Sequence, residues 1–299
     1  MLSKIPIKLH CWGGLGSQLY AWALCERLAN RFPKRRILLI LHTDGITRRD
    51  SELDNLFSSS ELMHVYDFVD SESNSFSKKF LEQDRFYSLI ISKFRAQILK
   101  VCKELLLKIG ILSTCNTVGK IEILRPWLLE IRGHYSQIEI TDEVISSMLL
   151  RAQRNHSIFT TKCDKRDLRV GVHFRLGDLM QIVEKSPIDT LRLANCISGL
   201  SEKSISIFSD SPKIAISELK KTLGTLELEE NNMEIWQTLS CLISSEIFVG
   251  TPSKISEWVV AFRMFNKSNI GEIFLPKEMK NQMETILPES RHNGMISYY

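Results

Sequence analysis

The second half of the chain alternates short apolar runs with stretches whose apolar residues recur at helical spacing. The predicted strands are 168–175, 204–208, 247–250 and 270–275, and the predicted helices begin near Pro187, at Pro212, at Met233 and at Lys254. Strands that alternate with helices imply right-handed crossovers, so these strands are expected to lie parallel in one sheet. The pattern therefore predicts an α/β fold.

The first half opens with the same kind of alternation. A strand, a glycine-rich turn, a helix and a second strand are predicted at 5–12, 13–18, 19–32 and 36–42. This order of elements is typical of nucleotide-binding α/β domains. The following residues, 43–77, are polar and rich in serine, which favours loops and short elements.

With 299 residues, the chain is long enough for two domains of ordinary size. A polar and basic segment at 151–167 indicates a boundary, so we expect an N-terminal domain at 1–155 and a C-terminal domain at 156–299. A composition of 43% hydrophobic and 25% charged residues is typical of a globular protein. The net charge of +4 does not by itself favour a nucleic-acid partner.

Cysteine usage and hydropathy favour a cytoplasmic protein. The seven cysteines are scattered without a Cys-x-x-Cys pair, which argues against a disulfide framework or a zinc site and indicates a reducing compartment. The opening apolar run is too short for a signal peptide, and no window reaches the roughly 18–20 apolar residues of a membrane span.

One stretch, 78–109, combines helical periodicity with strong positive charge. It holds eight basic and three acidic residues, a balance of +5 that exceeds the net charge of the whole chain. A helix packed on the core with a solvated basic face is one interpretation. The other is peripheral contact with an anionic membrane surface.

Polar residues follow three of the predicted strands, where each strand ends. They are His173, Arg175 and Asp178 after the first, Ser209 and Asp210 after the second, and Thr251 and Ser253 after the third. Since parallel strands end at one edge of their sheet, these groups predict a polar pocket suited to a nucleotide diphosphate. The planar fork of Arg175 is suited to phosphate, and Gly177 allows backbone N–H groups to approach it closely. The alternative is a strand end whose Arg and Asp pair on the surface.

The glycine-rich turn offers a second candidate site. Gly14, Gly16, Ser17 and Gln18 stand at a helix start, which favours an anion or a polar sugar. As a dinucleotide motif the turn is incomplete, because Leu19 replaces the third glycine. A helix-packing turn and the cofactor site of an NAD(P)-dependent oxidoreductase therefore remain alternatives.

Five motifs, in this order, resemble those of the α-1,2-fucosyltransferase family. Gly13–Gln18 resembles its Gly-Gly-Leu-Gly-Asn-Gln motif, and Gly133–Ser136 resembles its Gly-Tyr-Trp-Gln segment. His173–Asp178 matches its His-x-Arg-x-Gly-Asp motif, Phe208–Asp210 its Phe-Ser-Asp segment, and Gly250–Trp258 resembles its late Ser- and Trp-containing region. The resemblance covers most of the chain.

The resemblance implies a GT-B fold, in which two Rossmann-like domains face each other across a cleft. The N-terminal domain would be the acceptor side and the C-terminal domain would hold a GDP-sugar. The implied reaction is inverting, metal-independent transfer of L-fucose, or a related deoxyhexose, from GDP to a glycan hydroxyl, with an α-1,2 linkage expected. No cofactor or metal is expected. A bacterial enzyme of surface-glycan biosynthesis fits best, with a lipid-linked glycan as one candidate acceptor.

Site roles follow from the same resemblance. Arg175 would hold the β-phosphate, with His173 and Asp178 positioning it, Asp210 would contact the nucleoside, and Ser253 and Ser256 would contact phosphate. The remaining residues expected around the donor are Gly14, Gly16, Ser17, Gln18, Gly177, Ser209 and Thr251. Ser17 stands where the family has Asn, which leaves open a non-catalytic nucleotide-sugar or glycan-binding protein.

No motif assigns the general base. An inverting transfer needs a group that takes the proton of the acceptor hydroxyl, and a carboxylate is the usual one. Glu184 follows the Arg175 strand on the next loop and is our candidate, with a surface glutamate as the alternative.

Overall fold

The computed structural model describes thirteen segments in two compact units, Met1–Ile138 (unit 1) and Glu139–Tyr299 (unit 2). The described segments are 5–42, 52–53, 64–68, 100–114, 124–133, 135–155, 169–176, 188–200, 204–224, 227–231, 233–265, 271–287 and 294–299. The division falls between Ile138 and Glu139, ahead of the boundary that the sequence suggested after residue 155.

Unit 1 is built on a parallel sheet of five strands in the order β3-β2-β1-β5-β4. Its elements are β1 (Ile7–Trp12), α1 (Leu15–Arg31), β2 (Ile37–His42), β3 (His64–Phe68), β4 (Leu112–Thr114) and β5 (Glu130–Arg132). Alternate residues of β1, including Leu9 and Cys11, are buried, and α1 packs on β1 and β2. The predicted strands 5–12 and 36–42 are confirmed within two residues.

Helix α1 begins at Leu15 rather than at the predicted Leu19. Gly13 has φ +101, a conformation that favours glycine, and Gly14 is the N-cap residue with extended backbone. The predicted turn residues are therefore divided, because Gly13 and Gly14 form the turn while Gly16, Ser17 and Gln18 already belong to the first turn of the helix.

Unit 2 contains the regular alternation that the sequence predicted. Its elements are α2 (Asp142–Asn155), β6 (Val170–His173), α3 (Thr190–Ser198), β7 (Ser204–Phe208), α4 (Pro212–Leu223), β8 (Glu227–Asn231), α5 (Ile235–Ser244), β9 (Ile247–Val249), α6 (Lys254–Phe265), β10 (Glu272–Leu275), α7 (Lys280–Ile286) and β11 (Ile296–Tyr298). The structure adds two strands that the sequence pattern did not predict, β8 and β11.

The sheet of unit 2 is parallel throughout, in the order β8-β7-β6-β9-β10-β11. Counted from β6, this is the doubly wound order 3-2-1-4-5-6, in which strand order reverses between β6 and β9. Val170, Val172, Ile205, Ile207 and Val249 are fully buried along the central strands. The predicted α/β class with parallel sheets is confirmed in both units.

The basic stretch is described only at its end. Residues 100–108 are helical, whereas 78–99 lie outside the described residues. Val101, Leu105 and Ile109 recur at helical spacing and are 64%, 56% and 44% exposed, so these three side chains do not pack on the core. Leu106 and Leu107 beside them are half-buried. Among the described helices, none is long and apolar enough to cross a bilayer.

Cysteine pairing differs in one respect from the sequence expectation. Cys11, Cys25, Cys102 and Cys196 carry thiols outside any disulfide, whereas Cys241 is disulfide-bonded.

Candidate functional site

The candidate site of unit 2 lies where the strand order of its sheet reverses. His173 is the last residue of β6, and the residues that follow β9 approach it from the neighbouring strand. In doubly wound sheets, ligands bind outside the carboxyl ends of the strands at this point. The sequence prediction that these strand ends share one edge is confirmed by the parallel registers of β6, β7 and β9.

Two serines after β9 hold the His173 ring. Nδ1 of His173 lies 3.0 Å from Ser256 Oγ and 3.2 Å from Ser253 Oγ, and Ser253 Oγ donates to Ser256 Oγ at 3.2 Å. Ser253 Oγ also accepts from the backbone N–H of Ser256 at 3.1 Å, which caps the start of α6. The cap and the imidazole are therefore one hydrogen-bonded group.

The imidazole of His173 is neutral at physiological pH. The pKa of His173 is lowered to about 4, mainly by burial and also by nearby Arg175, while Asp210 acts in the opposite direction. A neutral ring adds no charge to the site, so His173 is suited to orienting its neighbours.

Thr251 links the end of β6 to the start of the following loop. Its Oγ1 donates to the carbonyl oxygen of His173 at 2.9 Å and accepts from the backbone N–H of Arg175 at 3.3 Å. Arg175 itself is half-buried, and Thr251 fixes the backbone from which its guanidinium extends. This bridge makes the direction of the Arg175 side chain depend on a residue from the next strand.

The residues after β7 reinforce the same loop. Asp210 is exposed, and its Oδ1 accepts from the backbone N–H of Leu176 at 3.0 Å. Ser209 Oγ accepts from the backbone N–H of Ser211 at 3.1 Å, which shapes the turn before α4. Two side chains predicted to contact the donor thus also support backbone at the site.

Thr251 and Ser256 are fully buried. The Thr251 hydroxyl bonds to the backbone of His173 and Arg175, and the Ser256 hydroxyl lies against the His173 ring. Both residues are therefore placed to support His173 and Arg175. Ser253, Ser209, Asp210 and Arg175 retain some exposure at the carboxyl edge. Gly177, Asp178 and Glu184 lie outside the described residues.

Two supporting residues were not expected from the sequence. A Cβ on Gly250 would lie 2.7 Å from Leu275 Cδ2 and 3.0 Å from Ser256 Cβ, so a larger residue would force Leu275 or the serine pair to shift. Tyr299 Oη donates to the carbonyl oxygen of Gly250 at 2.8 Å. The sequence distance between Tyr299 and β9 left no local signal for this contact.

The glycine turn of unit 1 is braced by Gln18. Its Nε2 donates to the carbonyl oxygen of Gly13 at 3.1 Å, and its Oε1 accepts from the backbone N–H of Glu52 at 2.9 Å. Gly16 and Gln18 are buried, whereas Gly14 and Ser17 are half-buried. The buried amide of Gln18 therefore stabilises the turn by hydrogen bonds to two backbone groups.

Within the described segments, no group of three or more His, Cys, Asp or Glu residues is arranged to hold a metal ion. The charged and polar groups at the unit 2 edge are instead suited to an anion held by arginine, hydroxyl and backbone donors.

No protein-family model matches the chain, and no curated protein matches it. Among solved structures it is similar to NodZ α-1,6-fucosyltransferase soaked with GDP-fucose (TM-score 0.46, 12% identity, covering 86% of this chain and 92% of that one). It is also similar to POFUT1 in complex with GDP (TM-score 0.43, 13% identity, 87% and 94% covered). A third similar structure is a family 9 glycosyl transferase from Veillonella parvula (TM-score 0.39, 10% identity, 97% and 93% covered). These scores and identities are low, so the three similarities carry no inference about function.

Proposed function

We propose that the chain is a glycosyltransferase that uses a GDP-sugar, with L-fucose or a related deoxyhexose as the transferred group. The observation that carries the proposal is Arg175, held at the reversal point of a doubly wound sheet by a hydroxyl from the neighbouring strand. That arginine falls in the His-x-Arg-x-Gly-Asp motif on which the resemblance to fucosyltransferases depends. Two parallel α/β units are also what a GT-B enzyme needs.

In the proposed reaction, an acceptor hydroxyl attacks the anomeric carbon of the donor sugar from the face opposite GDP. The new C–O bond forms as the bond to the β-phosphate oxygen breaks, and GDP leaves with the electron pair. The anomeric configuration is therefore inverted. The guanidinium of Arg175 stabilises the charge that develops on the departing phosphate, so the step needs no metal.

The other site residues have supporting roles in this proposal. Thr251 fixes the backbone of Arg175, and Ser253 and Ser256 hold a neutral His173 beside it. Asp210 remains the proposed contact for the nucleoside, since its carboxylate is exposed at the same edge. The glycine turn of unit 1 remains proposed as a further donor contact through its backbone and Ser17.

Calorimetric titration with GDP in the presence of EDTA tests the donor site, with UDP and NAD as comparison ligands. Wild-type protein should bind GDP selectively. Arg175→Ala should lose roughly 10–150-fold in affinity, the effect of losing one charge-assisted phosphate contact. Arg192→Gln is the matched control, because Arg192 is exposed on α3 and pairs with Glu278. Equal binding of UDP, or NAD binding in place of GDP, would contradict the proposal.

Glu184 is proposed as the base that takes the proton of the acceptor hydroxyl. Glu184→Gln should keep GDP affinity and lose most of the transfer rate at saturating substrates. Full turnover in that variant would remove Glu184 from the mechanism.

The acceptor and the linkage are tested with GDP-fucose and a panel of glycans. NMR analysis of the product should show an α-1,2 linkage on a sugar hydroxyl if the resemblance extends to regiochemistry. Donor binding with neither transfer nor slow hydrolysis of GDP-fucose would instead identify a non-catalytic binding protein.

We also propose that the basic stretch 78–109 holds the protein at the inner face of a membrane. Support comes from the exposed apolar side chains Val101, Leu105 and Ile109, which share their segment with several lysines. The protein should sediment with anionic liposomes and much less with neutral ones, and charge reversal at Lys93, Arg95 and Lys100 should abolish sedimentation. Absence of sedimentation of the intact protein on anionic liposomes would overturn this part of the proposal.

A further inference from the structure

A second charged cluster lies in unit 1, outside the site described above. It consists of His10, Trp12, His42, Glu130 and Arg132 and is called the Arg132 cluster here. Four of its residues come from the carboxyl halves of β1, β2 and β5, while Glu130 is the first residue of β5. The strand order of this sheet reverses between β1 and β5. The cluster thus occupies the position in its own sheet at which doubly wound domains bind ligands.

Strand register brings the aromatic members together. Trp12 and His42 are partners across β1 and β2, and their rings stack at 4.2 Å with an interplanar angle of 5°. Nδ1 of His10 lies 2.8 Å from Nε2 of His42, and His10 is buried beneath the edge. Tyr135 braces this arrangement by donating its hydroxyl hydrogen to the carbonyl oxygen of His10.

Arg132 is held by one nitrogen of its guanidinium. Its Nε donates to Glu130 Oε1 at 2.7 Å, and its Cζ lies 5.9 Å from the centre of the Trp12 ring. Across the part of the chain that the structure describes, the two terminal nitrogens of Arg132 make no hydrogen bond. The Arg132 side chain is 18% exposed. Its two terminal nitrogens are therefore close to solvent, while the bond from Nε to Glu130 holds the guanidinium in place.

The cluster presents an excess of donors, and together with neighbouring Lys8 it has two cationic side chains against one carboxylate. Glu130 Oε1 is already shared between Arg132 and His10, whose Nε2 lies 3.1 Å away. Lys8 is on the same strand face as His10, and both Lys8 and Arg132 lower the pKa of His10 while Glu130 raises it, with burial as the largest cause of the lowered value. The indole N–H of Trp12 likewise has no acceptor among the described residues.

We propose that Arg132 binds an oxyanion of the acceptor substrate, a carboxylate or a phosphate ester carried by a sugar. A guanidinium whose Nε is occupied still offers two parallel N–H groups that match two oxygens of one anion. A neutral sugar would leave these charged donors without a charge-assisted partner, so the cluster selects an anionic acceptor. This inference deepens the proposed function, because it assigns a substrate class to an acceptor that the function requires.

The test uses protein labelled with ¹⁵N at tryptophan, with the Trp12 indole signal assigned from Trp12→Phe. Methyl β-glucuronide supplies a carboxylate, glucose 1-phosphate supplies a phosphate, and methyl β-glucoside is the neutral comparison. At least one anionic sugar should shift the Trp12 signal at a concentration roughly tenfold or more below that needed for the glucoside. The stronger of the two identifies the source of the oxyanion.

Arg132→Gln should lose that preference, Arg132→Lys should retain part of it, and Arg192→Gln should behave as wild type. Equal response to the glucoside and the anions in wild-type protein would overturn the inference, and so would an unchanged preference in a folded Arg132→Gln variant. If Arg132→Gln fails to fold because Glu130 loses its partner, the wild-type comparison of charged and neutral sugars decides alone.

GDP titration of the same samples separates this inference from the proposed function. Arg132→Gln should keep wild-type affinity for GDP. GDP binding without selective anion binding would overturn the cluster's role and leave the function intact. Anion binding without GDP binding would overturn the proposed function while leaving Arg132 as an oxyanion site.

Discussion

Acidification should destabilise unit 2 through His173. In the folded chain the pKa of this imidazole is lowered from 6.5 to about 4, chiefly by burial and further by Arg175. The unfolded chain therefore binds the proton more readily between these pH values. The contribution of a neutral His173 to stability is complete above about pH 6.5, falls as the pH drops below that value, and is lost by about pH 4.

The size of the effect follows from the two pKa values. A difference between 6.5 and about 4 corresponds to about 3 kcal/mol of unfolding free energy. The group is fully buried, so solvent does not screen this value. Since total stabilities are commonly about 5–15 kcal/mol, one histidine would account for a large share of the acid sensitivity.

The assay is urea unfolding followed by circular dichroism from pH 7.5 to 4.5, on wild type and His173→Gln. Glutamine retains polar atoms for Ser253 and Ser256 but has no titratable proton, so the variant should show a smaller loss of stability on acidification. His10, whose pKa is also lowered, contributes equally to both curves. Parallel pH curves for the two proteins would refute the reasoning, as would an NMR titration of the wild-type His173 ring with a midpoint near 6.5.

Three further substitutions test the supports of the site. Thr251→Val removes the hydroxyl that bridges two backbone groups. It should lower the free energy of unfolding in urea by about 2–4 kcal/mol and weaken GDP binding. Thr285→Val removes only an exposed hydrogen bond within a helix, so its effect on stability should be much smaller. Gly250→Ala should lower the melting temperature by several degrees more than Gly199→Ala, because an added Cβ meets atoms at 2.7 Å in the first case and no closer than 3.4 Å in the second. Arg263→Met should destabilise the protein by at least about 2 kcal/mol, because the buried guanidinium satisfies several carbonyl groups at the end of α5; a variant as stable as wild type in urea would contradict that role.

The sequence predicted the interior of the fold better than its margins. Strand β7 begins and ends where its apolar pattern indicates, because Ile205, Ile207 and Phe208 are fully buried, and helix α6 begins at the predicted Lys254. Strand β8 carries three glutamates and, among the described strands, pairs with β7 alone, so its side chains left no apolar signal. Edge strands of this kind are fixed by backbone pairing, which composition does not encode.

The position of the candidate site could be predicted from the sequence, whereas the roles of its individual residues could be predicted only in part. His173 and Arg175 could be located because polar residues follow an apolar strand. Ser256 was expected to contact phosphate, yet it lies fully buried against His173, since its place on the first turn of α6 directs it under the strand end. The Arg132 cluster depends on β1 and β5, whose separation in sequence gives no local pattern that would pair Glu130 with His10.

The acidic composition of β8 has a consequence for assembly. An edge strand leaves one row of backbone donors and acceptors available to another chain, and Glu227 and Glu230 are exposed along it. Two such edges approaching each other would bring like charges together, so this side of the sheet resists growth by strand addition. Any self-association of this protein should therefore use some other surface, and replacing these glutamates with threonine should remove a barrier to fibrous aggregation.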